Sequence, residues 1–236
     1  MDIAWLEHTA ADLPPADHWL SAAEATRLAG MRFAKRRDDW RLGRFAAKRA
    51  VALFLNLPLE TDSLAQIEIR PAASGAPEVF LANAPAPVIL SISHRDGRAA
   101  CVIAGMAPET ALLLGCDLEI VEPRSEAFAR DYFTAEEQER VAQAGPADRW
   151  RLLALLWSAK ESVLKALRAG LRIDTRSIAA DPAITQTPGA DDWRPLRAYY
   201  QDIIFHGWWR QTDTLIRTAI ASPAAVRPPF AATQWR

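Results

Sequence analysis

The chain contains little cysteine, no long apolar run and almost no net charge. Its 236 residues include two cysteines, Cys101 and Cys116, and carry a formal net charge of -1 at pH 7. Both cysteines lie in apolar, strand-like surroundings, which favours buried free thiols over a disulfide. The near-neutral charge argues against a protein-wide electrostatic footprint for nucleic acid, so no nucleic-acid partner is expected.

The sequence predicts neither a secretory signal nor a membrane-spanning segment. The N-terminal residues Met1–Trp5 lack the basic start and apolar core of a signal peptide. The apolar segments near residues 99–107 and 111–116 are far shorter than the ~20 residues that a transmembrane helix needs. We therefore expect a cytoplasmic protein with no membrane partner.

The chain has an internal repeat of helix-start signals. Ser21–Glu24 and Thr134–Glu137 both have the spacing of a capping box, and each predicts the start of a short helix. A long amphipathic helix is predicted after each, over residues 34–56 and 148–169. Strands are predicted at Gln66–Arg70, Val88–Ile92, Arg98–Met106, Thr110–Val121, Ile173–Ile178, Ala198–Phe205 and Thr214–Ala221. A hairpin turn is predicted at Asp96-Gly97, and Gly207 and Asp213 are expected near turns. The tail after Pro223 is rich in proline and alanine and is expected to be poorly ordered.

Hydrophobic residues make up 50% of the chain, enough for a sizeable core, and neither a linker nor a low-complexity tract divides it. We expect an α+β protein of two similar α/β halves related by a pseudo-twofold axis. Each half should pack a long helix on a small, mainly antiparallel sheet. The predicted halves are residues 1–108 and 109–236.

Four charged residues point to one site. Asp117 and Glu119 are two apart in a predicted strand, so both side chains face the same side. Glu161 and Lys165 are four apart in the second long helix and share a helical face. Read separately, these are a solvated strand face and a common surface ion pair. The acidic pair, however, lies in an otherwise apolar strand, where covered carboxylates need a partner, and oxygen-only ligands suit Mg²⁺.

These segments resemble the paired signature of the 4′-phosphopantetheinyl transferases. Gly115–Glu119 is similar to the G-x-D-x-E motif, and Trp157–Lys165 is similar to W-x-x-K-E-x-x-x-K. Ile92–His94 resembles the serine–histidine element of the family, and Arg27–Arg44 resembles its N-terminal arginine element. The length resembles the monomeric, two-halved surfactin-synthetase-activating (Sfp) type rather than the short trimeric acyl-carrier-protein synthases.

The resemblance implies transfer of the 4′-phosphopantetheine arm of coenzyme A to a serine of an apo acyl- or peptidyl-carrier protein, with release of 3′,5′-ADP. Asp117, Glu119 and Glu161 would hold Mg²⁺. Glu161 and Lys165 would be the catalytic residues, Glu161 as a general base and Lys165 as a contact to the pyrophosphate. Coenzyme A and Mg²⁺ would bind between the two halves. Other implied contacts to coenzyme A are Arg27, Arg44, Arg70, Ser93 and His94.

Two features leave alternatives open. Ala76 stands where the family usually has lysine in a G-K-P turn, and this favours a second hypothesis, a non-catalytic module that binds coenzyme A or carrier proteins. The first long helix is basic, which is typical of a solvated face, of a nucleic-acid site or of a surface for acidic carriers. Its cations are Arg32, Lys35, Arg36, Arg37, Arg41, Arg44, Lys48 and Arg49.

Overall fold

The computed structural model divides into two compact units. It describes residues 2–106, 111–182, 193–225 and 228–231. The N-terminal unit is Asp2–Ala111 with Pro229–Arg236, and the C-terminal unit is Leu112–Pro228. The boundary predicted between residues 108 and 109 falls outside the described residues.

In the N-terminal unit, the long helix α2 packs on an antiparallel sheet. Its elements are β1 (Ala4–Thr9), α1 (Ala22–Ala29), α2 (Ala34–Phe54), α3 (Thr61–Ala65), β2 (Ile67–Pro71), β3 (Pro77–Leu81), β4 (Ala84–Pro85), β5 (Val88–Arg95) and β6 (Arg98–Gly105). Strand β6 lies between β1 and β5, and β2, β3 and β4 form a second sheet. The predicted hairpin turn at Asp96-Gly97 joins β5 to β6, and both turn residues have positive φ.

In the C-terminal unit, the long helix α6 packs on one five-stranded antiparallel sheet. Its elements are β7 (Leu113–Ile120), α4 (Glu126–Tyr132), α5 (Ala135–Gln143), α6 (Pro146–Ala166), β8 (Ile178–Pro182), β9 (Arg194–Tyr200), β10 (Ile203–Thr212) and β11 (Leu215–Ser222). The strand order is β7-β11-β10-β9-β8. The α+β prediction, with a long helix on an antiparallel sheet in each half, is confirmed.

Both predicted capping boxes are present. The Ser21 hydroxyl accepts a hydrogen bond from the backbone N–H of Glu24, and the Glu24 carboxylate accepts one from the backbone N–H of Ser21. Thr134 and Glu137 make the same pair of bonds at the start of α5. These two boxes fix where the short helix of each unit begins.

Several sequence predictions of strands and helix ends are wrong. The segment Ala198–Phe205 contains the turn between β9 and β10, and Gly207 lies inside β10 rather than near a turn. A β-carbon at Gly207 would lie 2.3 Å from the carbonyl oxygen of Ala219, so the close approach of β11 requires glycine here. Helix α6 begins at Pro146, because the first helical position tolerates a residue without an N–H.

Other elements were missed or misread. The segment Ile173–Ile178 contains a 3-10 turn, Thr175–Ser177, and β8 starts only at Ile178. The tail after Pro223 was expected to be poorly ordered, yet Phe230–Ala231 forms a short strand, β12, parallel to β1. Among the helices of the described residues, none has both the length and the apolar character needed to cross a membrane.

Candidate active site

The site in the C-terminal unit depends on an unusually close contact between β7 and α6. A β-carbon at Gly115 would lie 1.9 Å from the carbonyl oxygen of Ser162, so only glycine permits this approach. The contact brings the strand residues that follow Gly115 against the helical turn that carries Glu161 and Lys165. Gly115 is therefore a positioning residue. The sequence motif contains this glycine but does not show why it is needed.

Buried hydroxyl groups connect α6 to the sheet next to the Gly115 contact. The Thr218 hydroxyl on β11 lies 2.8 Å from the Ser158 hydroxyl and 2.7 Å from the Ser162 hydroxyl. Thr218 pairs in register with Asp117 on β7. Since all three hydroxyl groups are buried, their mutual bonds restrict how α6 can slide or rotate over β7 and β11.

The acidic pair lies where the sequence pattern placed it, on one face of β7. Asp117 and Glu119 are only 5% and 8% exposed, and each contacts a cation. Lys165 Nζ donates to Asp117 Oδ1 at 2.7 Å. An Arg124 Nη donates to Glu119 Oε2 at 2.8 Å. The predicted residues Asp117, Glu119, Glu161 and Lys165 thus belong to one cluster.

The environment of Glu161 raises its pKa. Burial and the neighbouring Asp117 carboxylate raise the pKa of Glu161 to about 6, with a smaller contribution from Glu119. Lys165 opposes this rise. A carboxyl group with this pKa is mostly ionised at neutral pH but holds a proton more readily than a free glutamate, which suits it to proton transfer.

The ammonium group of Lys165 responds in the opposite sense. Its burial disfavours the charged form, but Asp117, Cys116 and Glu161 outweigh that effect and raise the pKa of Lys165. The lysine therefore stays cationic at neutral pH. It offers a fixed positive charge next to the carboxylates, of the kind that stabilises a phosphate group.

Three carboxylates on two elements supply the hard oxygen donors that Mg²⁺ prefers. The coupling of Glu161 to Asp117 and Glu119 indicates a shared negative field that a cation would relieve. Within the described ranges, no three His, Cys, Asp or Glu side chains are grouped as a metal site. The chemistry of the three donors suits a hard divalent cation, but holding one would require the Arg124–Glu119 ion pair to open and the carboxylates to move closer together.

Arg124 was not identified from the sequence. It bridges Glu119 and Glu122, whose carboxylate lies 3.1 Å away, and its guanidinium lies 5.3 Å from the ring centre of Phe128 on α4. The only sequence signal was a basic residue in the loop directly after the acidic strand. Arg124 is thus the link between the acidic pair and α4.

The two residues of the serine–histidine element differ in exposure. Ser93 is 5% exposed, whereas the side chain of His94 is 49% exposed. Adjacent strand residues point to opposite faces of a sheet, so Ser93 and His94 cannot present their side chains on one surface of β5. His94 Nδ1 lies 3.9 Å from an Asp39 carboxylate oxygen on α2.

The three predicted arginine contacts have different environments. Arg27 is exposed in the last turn of α1. The Arg70 guanidinium donates to Glu68 and Asn83 and lies over the Phe80 ring.

Arg44 is mostly buried. Burial lowers its pKa to about 10, against the opposing effect of Glu24, whose carboxylate lies 3.9 Å from Arg44 Nε. This environment favours a structural role for Arg44 over a contact with coenzyme A.

The basic run on α2 is not one solvated face. Lys48 is completely buried and pairs with Glu24, and Arg41 pairs with Asp17 at 2.6 Å. Lys35 forms an exposed pair with Asp39. The interpretation of a solvated basic face is therefore wrong for Lys48, and Arg41 and Arg44 also have acidic partners within the unit.

A family model matches the part of the chain that contains the C-terminal site. The family model described as the 4′-phosphopantetheinyl transferase superfamily matches residues 113–214, a segment that includes the whole acidic cluster. A search of curated proteins finds no match. A solved structure similar to part of the chain is Helicobacter pylori holo-[acyl-carrier-protein] synthase in complex with coenzyme A. It is 20% identical, with 44% of this chain and 98% of that chain covered and a TM-score of 0.35.

Proposed function

We propose that the chain, whose residues 113–214 match the 4′-phosphopantetheinyl transferase superfamily model, is a member of that superfamily. We propose that it transfers the 4′-phosphopantetheine arm of coenzyme A to a serine of an apo acyl- or peptidyl-carrier protein. The observation that carries the proposal is the cluster of Asp117, Glu119, Glu161 and Lys165, which lies inside the matched segment. Its three buried or half-buried carboxylates and one lysine match the charges that pyrophosphate chemistry needs.

In the proposed reaction, the serine oxygen of the carrier attacks the β-phosphorus of coenzyme A. A new oxygen–phosphorus bond forms, the bond from that phosphorus to the bridging oxygen breaks, and 3′,5′-ADP leaves. Glu161 is the proposed general base that accepts the proton of the serine hydroxyl. Lys165 holds its charge near the pyrophosphate and stabilises the leaving phosphate.

Asp117, Glu119 and Glu161 are the residues that would hold Mg²⁺. A bound divalent cation would neutralise charge on the pyrophosphate. The chain's own part is to hold α6, with Glu161, against the strand that carries Asp117 and Glu119, which the Gly115 contact and the Thr218 hydroxyl bonds promote.

Contacts to coenzyme A from the N-terminal unit form a further part of the proposal. The exposed side chains of His94 and Arg27 support such a role, and Arg70 keeps a partly exposed guanidinium. Ser93 and Arg44 are mostly buried, and their burial gives less support to a contact with coenzyme A. We propose a monomer of the two-halved type acting in the cytoplasm, where the two buried free cysteines would stay reduced.

The proposal is tested by incubating the protein with Mg²⁺, coenzyme A and a panel of apo-carrier proteins from fatty-acid, polyketide and non-ribosomal-peptide systems. Intact-mass spectrometry should show at least one carrier gaining the phosphopantetheinyl mass. The same carrier with its acceptor serine changed to alanine is the control. A panel with no mass shift would refute the proposal, and calorimetric binding of coenzyme A without turnover would favour the non-catalytic module.

A further inference from the structure

A lysine of the candidate motif is buried away from the acidic cluster. The Lys160 side chain is completely buried on α6. Its ammonium group contacts Glu137 Oε2 at 2.8 Å, donates to the carbonyl oxygen of Thr175 at 2.8 Å, and also donates to the carbonyl oxygen of Ile178. Three acceptors use all three N–H donors, so Lys160 has none left for a substrate.

The carboxylate in this contact joins two further elements. Glu137 closes the capping box of α5 through Oε2, and its Oε1 accepts the backbone N–H of Ala180 on β8 at 2.8 Å. The Glu137–Lys160 pair therefore ties α5, α6 and the start of β8 together. We refer to Glu137, Lys160 and their backbone partners as the C-terminal latch.

The N-terminal unit contains the same arrangement. Buried Lys48 on α2 contacts Glu24 Oε2 at 2.5 Å and donates to the carbonyl oxygens of Trp19 and Leu64 at 2.9 and 3.1 Å. Glu24 closes the capping box of α1, and its Oε1 accepts the backbone N–H of Ile69 on β2 at 3.1 Å. We refer to this set as the N-terminal latch.

The two latches occupy equivalent places in their units. Helices α2 and α6 are both 21 residues long, and Lys48 and Lys160 are the fifteenth residue of each. An aromatic ring lies beside each ammonium group, Trp19 at 5.8 Å and Phe133 at 5.7 Å. The repeat of strand, short helix, long helix and strands is thus accompanied by a repeat of one buried ion pair.

The residues that follow the two lysines differ in chemistry. The next position is Arg49 on α2 but Glu161 on α6, and four residues later stand Leu53 and Lys165. The N-terminal latch therefore fixes a helix that has no carboxylate at the position after its lysine. The C-terminal latch fixes the helix that presents Glu161 and Lys165 to Asp117 and Glu119.

We propose that Lys160 is a positioning residue that sets the rotation of α6, so that Glu161 and Lys165 face the carboxylates of β7. Because one helical residue corresponds to a rotation of about 100°, anchoring Lys160 on the α5 and β8 side fixes the direction of its neighbour Glu161. The expected effect on metal binding rests on the proposed function, whereas the expected effect on the packing of α6 does not.

The test compares Lys160→Met with Lys48→Met, a matched substitution in the other unit. In Lys160→Met, hydrogen exchange of the Ala180 amide should accelerate at least 10-fold, with the Ile69 amide within 2-fold of wild type. Lys48→Met should give the reverse pattern. Equal acceleration of both amides in either variant, or of neither, would overturn the latch.

The positioning role is read from Mn²⁺ binding, measured by electron paramagnetic resonance well below the unfolding midpoints of both variants. Lys160→Met should weaken Mn²⁺ binding at least 10-fold, and Lys48→Met by less than 2-fold. Equal weakening in both variants, or none in Lys160→Met, would overturn the positioning role. If the wild-type protein binds no Mn²⁺, the proposed metal site is refuted, and amide exchange alone decides whether the latch holds α6.

Discussion

Replacing Glu161 by glutamine should stabilise the folded chain at alkaline pH but not at acidic pH. Burial and the neighbouring carboxylates raise the pKa of Glu161 from 4.5 to about 6 in the folded protein. A raised pKa means that ionising this group costs more in the folded than in the unfolded chain. The contribution of wild-type Glu161 to stability is therefore full below the unfolded pKa and is lost as the pH rises through about 6.

The expected size follows from the shift. One pKa unit corresponds to about 1.4 kcal/mol, so the shift to about 6 amounts to roughly 2 kcal/mol at pH 8. Glutamine keeps the shape of the protonated side chain and cannot ionise. Glu161→Gln should gain about 2 kcal/mol in free energy of unfolding at pH 8, and this gain should shrink towards zero near pH 4.5.

Urea unfolding of both proteins at pH 4.5, 6 and 8 measures this difference. The exposed Glu139→Gln on α5 is the control, and its effect should stay within about 0.5 kcal/mol at each pH. Added Mg²⁺ should reduce the gain by stabilising the wild-type protein selectively. A gain that does not depend on pH, or one that is larger at pH 4.5, would refute the electrostatic reasoning.

Three further substitutions test other parts of the site. Gly115→Ala places a β-carbon 1.9 Å from a backbone oxygen of α6 and should cost about 3 kcal/mol in urea unfolding, and a loss below 0.5 kcal/mol would contradict the close contact. Lys165→Met should lower the rate of phosphopantetheine transfer about 100-fold in a mass-spectrometric assay with the chain still folded, and a rate near wild type would contradict its role at the phosphate. Arg124→Gln removes a competing cation and should tighten Mn²⁺ binding about 2- to 5-fold, and unchanged or weaker binding would contradict that competition.

Local sequence patterns were sufficient to predict the main helices of the fold. The two capping boxes and the two long helices follow from contacts within a few residues, and both boxes form as predicted. The acidic cluster could be predicted for the same reason. A spacing of two on a strand and four on a helix fixes which side chains share a face.

Features that depend on contacts distant in the sequence were not predictable. The partner of Lys48 is Glu24, and the partner of Lys160 is Glu137, both on other helices. Without these partners, Lys48 looked like part of a solvated basic face. Gly207 looked like a turn residue because its reason, the approach of β11, appears only once the sheet is assembled.

The central claim, that the acidic cluster carries a cation-dependent transfer of phosphopantetheine, is tested most directly by one comparison. Asp117→Asn keeps the side-chain shape but removes the charge at the centre of the cluster, and Asp202→Asn in the exposed β9–β10 turn is the matched control. With Mg²⁺, coenzyme A and a responsive carrier, the Asp202→Asn protein should modify the carrier at the wild-type rate. The folded Asp117→Asn protein should modify it at least about 100-fold more slowly. Equal rates for the two variants would contradict the account.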